Sequence, residues 1–284
     1  MVHYIKNDYL TVGVKEYGCE LTSIISNDGF EYLWQGEKSI WYGQSPILFP
    51  IVGRLIEDKY RYNGKEYTMP KHGFARKTEW SLLSKEDDTM SFILSENADT
   101  LAIYPFEFDL IVTFTLVDNK LRVNHCVVNK NDYNMYFSLG AHPGFNCEIG
   151  DTLVFEENET LSAEKIDLVN SLLLPEVIPV LDNSREIVIT SDIFNEDALI
   201  FHGIKSENIF LMHNNNKRNI KFNMGKAPYL GIWAKPGAPY VCIEPWCGVN
   251  DSFEKKNDIS EKDAINCLPP EEIFNFTWEA EFLD

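Results

Sequence analysis

Two apolar segments, Tyr136–Gly144 (YFSLGAHPG) and Tyr240–Trp246 (YVCIEPW), each carry an acid–base side chain directly before a proline. Proline forces the preceding residue into extended geometry and ends regular strand pairing. We therefore expect His142 and Glu244 to lie at strand ends with their side chains held in fixed directions. The small residues around His142 would let a ligand approach the backbone closely. Together the two segments predict a reaction site with one acid and one base.

Alternating apolar and polar residues recur along the chain and indicate a β-rich protein. Asn63 and Gly64 tolerate positive φ and predict a tight hairpin, and Asp118 with Asn119 is a second hairpin signal. The main predicted strands are Tyr9–Tyr17, Tyr60–Met69, Phe106–Leu116, Leu121–Val128, Ile187–Ile189, Ile209–Met212, Ile220–Met224 and Tyr229–Ala234.

Helical patterns are brief, near residues 96–102 and 260–265, and they do not alternate with the strands. A doubly wound nucleotide-binding fold is therefore disfavoured. No linker, composition break or repeat divides residues 1–284, which predicts a single domain. We expect an all-β fold, a large antiparallel β-sandwich with few short helices.

Composition limits the class of ligand and the compartment. The 284 residues include 44% hydrophobic residues, enough for a folded core, and carry a net charge of −19, which argues against binding to nucleic acid or to an anionic membrane. A neutral small molecule fits this surface best, and an anionic one would need a local cluster of arginine or lysine. The sequence shows no pattern typical of a signal peptide or a membrane span, so we expect a cytoplasmic protein. The six cysteines are dispersed and predict neither a zinc site nor disulfides.

Several other residues are candidates for the site, each with a plain structural alternative. Arg54 could donate to ligand hydroxyls, although a surface arginine is the commoner case. His72 and Asp197 could bind a sugar or be an ordinary structural histidine and loop acid. Trp233 and Trp246 could offer apolar faces to a sugar ring or pack in the core. For Glu244 the alternative is a structural salt bridge.

The ordered set of motifs Gly53-Arg54, His72-Gly73, His142-Pro143-Gly144-Phe145, Asp197-Ala198-Leu199 and Glu244-Pro245-Trp246 resembles the aldose 1-epimerase (galactose mutarotase-like) family, most closely its LacX-like branch. The resemblance spans nearly the whole chain. It implies a large antiparallel β-supersandwich with a sugar site in an open cleft.

The resemblance also implies roles for the site residues. His142 would be the general acid and Glu244 the general base in interconverting the α and β anomers of an aldohexose. Arg54, His72 and Asp197 would bind the substrate, and we add Trp233 and Arg76 to that set. Neither a cofactor nor a metal is expected, and the oligomeric state is left open.

Two alternatives remain from the sequence. Another branch of the family acts on hexose 6-phosphates, and Arg54, Lys71 and Arg76 make that substrate class a competitor. The Asn-Arg pair found in many galactose mutarotases is also absent after Arg54, which leaves the preferred sugar open. The second alternative is a noncatalytic carbohydrate-binding or sensing protein.

Overall fold

The computed structural model describes residues 1–215 and 217–283, and most of its regular structure is β-strand. In chain order the strands are β1 (Val2–Lys6), β2 (Leu10–Lys15), β3 (Glu20–Ser26), β4 (Ile47–Leu48), β5 (Lys59–Tyr62), β6 (Lys65–Thr68), β7 (Ser81–Lys85), β8 (Thr89–Ser95), β9 (Phe108–Val117), β10 (Lys120–Asn129), β11 (Met135–Phe137), β12 (Leu139–Ala141), β13 (Gly144–Asn146), β14 (Thr152–Ile166), β15 (Leu173–Val188), β16 (Leu199–His202), β17 (Asn208–Met212), β18 (Ile220–Asn223), β19 (Tyr229–Trp233), β20 (Tyr240–Cys247), β21 (Asn266–Leu268) and β22 (Ile273–Phe282).

One sheet of 15 strands dominates the architecture. Its main path runs β4-β12-β20-β19-β16-β14-β17-β18-β22-β10-β9-β8-β7, with β13 added to β20 and β15 added to β14. Three small sheets, β1-β2-β3, β5-β6 and β11-β21, complete the fold. The ladders between neighbouring strands are antiparallel, as in the β9–β10 and β19–β20 pairs, which confirms the predicted all-β antiparallel fold.

The alternating pattern of the long strands supplies the core. Along β9, Phe108, Leu110, Val112 and Phe114 are buried while the residues between them are partly exposed. Because successive side chains of a strand point to opposite faces, this alternation places one face of the sheet against the core. Each such side chain contributes about 1.5–3 kcal/mol when it leaves water.

Most predicted elements are present. Both hairpins form, at the β5–β6 turn and at the β9–β10 turn. The first predicted helix is α1 (Ala98–Ile103), which is capped by the side chain of Asn97. The second is reduced to a 3₁₀ turn at Ile259–Glu261, one of three such turns with Ile56–Asp58 and Ala75–Lys77 among the described residues.

The long hairpin of β14 and β15 was largely missed, because only Ile187–Ile189 was predicted there. Strand β15 pairs with β14 alone, and most of its residues are exposed. A strand that is solvated on both faces has no apolar alternation to detect. Within the described residues, no helix has the length and apolar character needed to cross a bilayer.

Candidate functional site

Strand pairing brings the two proline-flanked residues together. Gly140 of β12 pairs with Trp246, and Gly144 of β13 pairs with Cys242, so both short strands lie against β20 in one register. That register places His142, in the gap between β12 and β13, directly opposite Glu244. The expected strand end at Glu244 is wrong, because Glu244 lies inside β20 and Pro245 continues the pairing with Leu230 of β19. Opposed residues of antiparallel strands have neighbouring side chains. The two segments therefore form one catalytic candidate.

His142 and Glu244 are in contact and buried. The imidazole Nε2 lies 3.2 Å from Oε2 of Glu244, and the side chains are 11% and 1% exposed. Although the distance is short, the angles are not those of a hydrogen bond, and Oε2 has no hydrogen-bond donor among the described residues. Both side chains thus keep hydrogen-bonding capacity for a ligand.

Burial shifts the two pKa values in opposite directions, because each charged form is poorly solvated there. The pKa of His142 falls to about 3, mainly through desolvation, with Arg76 and Lys71 adding repulsion. Desolvation raises the pKa of Glu244 well above its usual range; Lys71 opposes this rise and Asp197 adds to it. Near neutral pH the imidazole of the pair without a ligand is therefore neutral, and burial favours the protonated form of the carboxyl group. Ordinary pKa values of glutamate and histidine would instead give an ionised Glu244 beside an available imidazolium at intermediate pH.

The pair lies in an open cleft of about 480 Å³. Six of the predicted site residues line it: His72, Arg76, His142, Asp197, Trp233 and Glu244. The other lining residues are Trp41, Lys71, Ile166, Leu168, Phe194, Asn195, Ala198, Ile200, Pro236, Trp246 and Asn250. A mixture of apolar walls with a few convergent polar groups is typical of small-molecule sites.

Arg54 is the predicted site residue that the fold does not bring into this lining. Its guanidinium donates from Nε and Nη2 to the two carboxylate oxygens of Asp58, both at 2.7 Å. This bidentate pair uses two of the five N–H donors of the guanidinium and orients it toward Asp58. The Gly53-Arg54 motif contributes instead through its backbone, which holds His72.

His72 is fixed by two hydrogen bonds to Gly53. Its backbone N–H donates to the Gly53 carbonyl at 2.8 Å, and its Nδ1 accepts from the Gly53 N–H at 3.1 Å. An acceptor Nδ1 assigns the ring proton to Nε2. The pKa of His72 lies well below its usual value, mainly because the ring is buried and secondly because Lys71 is near, so the ring is neutral. His72 therefore offers one N–H donor in the cleft.

The left-handed backbone of the His72-Gly73 turn makes this arrangement possible. His72 has φ 65° and Gly73 has φ 69°. A Cβ on Gly73 would lie 2.1 Å from the carbonyl oxygen of Phe49. Glycine is therefore required for the turn to pack against Phe49, directly after β4. This turn holds His72 in the cleft.

Lys71 and Arg76 bring positive charge into the cleft of an acidic protein. Arg76 donates from Nη2 to the Lys71 carbonyl at 2.8 Å, while its buried Nε has no partner among the described residues. Lys71 makes a 3.4 Å contact with Ser171 Oγ. Neither cation forms an ion pair with a described carboxylate. The two are the local cationic cluster that an anionic ligand would require.

Asp197 lies at the rim, just before β16. Its φ of 77° is left-handed, and its Oδ1 accepts a 2.8 Å hydrogen bond from the N–H of Ala198. This bond fixes the carboxylate while leaving its second oxygen available to a ligand. Asp197 thus faces Glu244 across the cleft as a second acceptor.

Trp41 is a site residue that the sequence did not suggest. Its ring stacks on His142 at 5.1 Å between ring centres and on Tyr240 at 5.2 Å, and the edge contact with Trp233 is 5.6 Å. Its carbonyl accepts from Nε1 of Trp34 at 2.8 Å. The stack fixes one face of the His142 ring. Trp41 lies outside any strand pattern, so nothing in the local sequence signals this role.

Two further lining residues, Trp246 and Asn250, bring buried polar atoms to the site. The indole of Trp246 favours the charged form of Glu244, and Oδ1 of Asn250 has no hydrogen-bond donor among the described residues. Unsatisfied buried polar atoms are uncommon in folded proteins and mark places where a ligand or water completes the hydrogen bonding. Trp246 also covers Gly231, where a Cβ would lie 2.8 Å from the indole, so it packs directly on the sheet.

Comparisons with known proteins find relatives similar over nearly the whole chain. The chain is 33% identical over 281 residues to the plasmid-encoded protein LacX of Lactococcus lactis subsp. lactis, covering 94% of each protein. Its structure is similar to that of a galactose mutarotase related enzyme from Lactobacillus acidophilus, with a TM-score of 0.95, 31% identity and coverage of 100% and 98%. A galactose mutarotase-like protein from Lactobacillus casei gives a TM-score of 0.94 at 29% identity, with 99% and 100% coverage.

The match to a protein family is equally extensive, covering residues 1–277. It includes all the predicted site residues and both segments that meet at the cleft. The chain belongs to the aldose 1-epimerase family.

Proposed function

We propose that this protein is an aldose 1-epimerase that interconverts the α and β anomers of an aldohexose. The observation that carries the proposal is the buried contact between His142 and Glu244 in an open cleft. Anomer exchange needs one group to remove the proton from the C1 hydroxyl and another to protonate the ring oxygen. The reaction needs no electron acceptor.

The cyclic sugar shifts the proton within the pair. When the C1 hydroxyl donates a hydrogen bond to Glu244, it stabilises the carboxylate, and Lys71 favours the same charge. The proton then resides on His142. This state has the base at C1 and the acid at the ring oxygen.

Ring opening returns the pair to its neutral state. Glu244 takes the C1 hydroxyl proton while His142 gives its proton to the ring oxygen, leaving a protonated carboxyl, a neutral imidazole and the open-chain aldehyde. Rotation about the C1–C2 bond exposes the other face, and the two transfers run backwards to close the opposite anomer. Burial favours the neutral pair, which matches the open-chain intermediate. Each positioned proton transfer contributes on the order of 10²–10⁴ in rate.

The remaining cleft residues bind the sugar in this scheme. His72 donates from Nε2 and Asp197 accepts from hydroxyls, while Trp233 and Trp41 present apolar ring surface. Trp233 meets the His142 ring edge-on at 5.8 Å between centres, so it limits the space beside the acid. Sugars combine hydroxyl edges with apolar C–H faces, and this lining offers both.

The test is polarimetry of freshly dissolved α-glucose and α-galactose with the wild type, Glu244→Gln and His142→Asn. We expect faster anomer exchange with the wild type and a loss of at least about 100-fold in each variant. Unchanged exchange in both variants would remove the assigned roles. Saturable sugar binding without faster exchange by the wild type would favour a noncatalytic carbohydrate-binding protein.

A hexose 6-phosphate is the second candidate substrate, and the unpaired cations Lys71 and Arg76 favour it. A phosphate accepts well from guanidinium and ammonium groups. Arg76→Gln should then raise KM for phosphorylated sugar by tenfold or more while changing KM for free sugar little. A wild-type preference for free sugar would count against this substrate class.

A further inference from the structure

A cysteine that the proposed chemistry does not use lies beside the catalytic pair. Cys242 precedes Glu244 by two positions on β20, so both side chains point to the same face of the strand. The Sγ of Cys242, a ring nitrogen of His142 and a carboxylate oxygen of Glu244 all lie within 4.8 Å of one another. All three residues are buried. The cluster therefore combines sulfur, nitrogen and oxygen donors, with His142 and Glu244 in the lining of the cleft and Cys242 buried outside that lining.

The spacing of two of these donors is close to that around a metal ion. Nε2 of His142 and Oε2 of Glu244 are 3.2 Å apart. Two such ligands of a tetrahedral Zn²⁺, with bonds of about 2.0–2.1 Å, are separated by about 3.3 Å. Oε2 also lacks a hydrogen-bond donor among the described residues, so it has lone pairs available.

The third donor needs only a small adjustment. A thiolate at about 2.3 Å from zinc lies about 3.5 Å from the other ligands. The limit of 4.8 Å on the present separations means that Sγ has to approach the other two donors by up to about 1.3 Å. The sulfur lies close to Gly144, where even an added Cβ would be 3.4 Å away. No bulky side chain at that position blocks the movement.

The donor types select the kind of ion. Thiolate and imidazole favour Zn²⁺ and Cd²⁺, whereas Mg²⁺ and Ca²⁺ prefer oxygen ligands alone. Thiolate and carboxylate together balance a charge of +2. The cleft leaves a fourth position open to water, on the side where the sugar would bind.

We propose that Cys242, His142 and Glu244 form an inhibitory binding site for Zn²⁺ or Cd²⁺. On binding, the thiol proton and the one proton of the His142–Glu244 pair leave to solvent, and three metal–ligand bonds form. The occupied pair can neither accept nor donate a proton, so the ion competes with the sugar. The inhibition rests on the proposed function, whereas the binding site does not.

Binding is tested with Cd²⁺ alone, by calorimetry and by the ultraviolet absorbance of cadmium–thiolate bonds. All proteins carry Cys267→Ser, because Cys267 is an exposed thiol. The comparison is between wild-type background, Cys242→Ala, Glu244→Gln and the control Cys247→Ala, which removes another buried thiol of β20 outside the cluster. We expect one tight site in the background and in the control, and at least tenfold weaker binding in Cys242→Ala and Glu244→Gln.

Unchanged Cd²⁺ affinity in Cys242→Ala would overturn the site, as would equal losses in Cys242→Ala and Cys247→Ala. Cys242→Ser replaces the alanine variant if the latter does not fold, and the same losses are expected. These measurements need no enzymatic activity, so they separate failure of the site from failure of the proposed function.

The kinetic arm uses polarimetry with Zn²⁺. Wild-type exchange should fall with Zn²⁺ and recover with a chelator, and more sugar should relieve the inhibition. Cys242→Ala should retain metal-free activity and need at least ten times more Zn²⁺ for the same inhibition. Equal sensitivity of the two proteins would contradict the proposal.

Discussion

The His142–Glu244 pair predicts an unusual dependence of stability on pH. Burial raises the folded-state pKa of Glu244 above its ordinary 4.5 and lowers that of His142 from 6.5 to about 3. Between pH 4.5 and 6.5 these directions favour a folded pair with its one proton on Glu244, while the unfolded chain holds one proton on His142. Because the numbers of bound protons match, the pair adds almost no pH dependence to the free energy of unfolding in this window.

Glu244→Gln removes the carboxyl group that holds the proton in the folded pair and leaves His142 as its only titrating group. A lowered folded-state pKa gives His142 a stabilising contribution that is complete above pH 6.5 and is lost as the pH falls toward 3. The slope is about 1.4 kcal/mol per pH unit. Over the two units from 6.5 to 4.5 the variant should lose roughly 2–3 kcal/mol that the wild type keeps.

His142→Asn should show the opposite trend. The raised folded-state pKa of Glu244 gives a contribution that is complete below pH 4.5 and is lost as the pH rises. Urea denaturation followed by tryptophan fluorescence, at several pH values in this window, measures all three proteins. The double variant supplies the baseline from every other titrating group. Parallel pH curves for the wild type and Glu244→Gln would refute the derived proton distribution.

Three further substitutions test how the cleft is held. Trp41→Leu removes the ring stacked on His142, so kcat measured by polarimetry should fall by roughly tenfold to 100-fold. Trp41→Phe should retain most of the wild-type kcat. Equal losses of kcat in the two variants would show that the aromatic stack is not what positions the imidazole. Gly73→Ala forces a Cβ to within 2.1 Å of a backbone oxygen and should cost about 2–4 kcal/mol by urea denaturation, whereas Gly64→Ala, also at positive φ but in open space, should cost about 1 kcal/mol. Asp197→Ala should raise KM for the sugar by roughly tenfold to 100-fold, as expected for one lost charge-assisted hydrogen bond, and an unchanged KM would remove Asp197 from the binding set.

Local sequence patterns predicted much of the fold. The apolar–polar alternation in the sequences of β9 and β10 predicted these strands correctly. One face of each strand packs in the core, so buried residues alternate with more exposed ones in the same two-residue period as the sequence. Asn63 and Gly64 form their hairpin because the turn needs positive φ at both positions, which the structure shows as 49° and 77°. The length of β15 escaped prediction because its exposed faces impose no such pattern.

The site was predicted in part, for reasons that differ between residues. Proline constrains the backbone locally, so the position of His142 directly after a strand could be inferred from its neighbours. Glu244 was expected at a strand end and instead lies inside β20, because Pro245 continues the pairing with Leu230 of β19. Arg54 looked equivalent in sequence, but its partner Asp58 lies four residues away and orients its guanidinium, and Arg54 is not among the residues that line the cleft. Trp41 comes from a loop without pattern and reaches His142 only through the tertiary fold.

By itself, the sequence determined the β-rich architecture and the two proline-flanked residues that could serve as acid and base, because backbone preferences and burial periodicity are local properties. The tertiary structure decided that His142, between β12 and β13, faces Glu244 of β20, that Arg76 rather than Arg54 lines the cleft, and that burial moves both pKa values toward the neutral pair. These depend on strand register and on which atoms exclude water, which no local stretch of residues encodes.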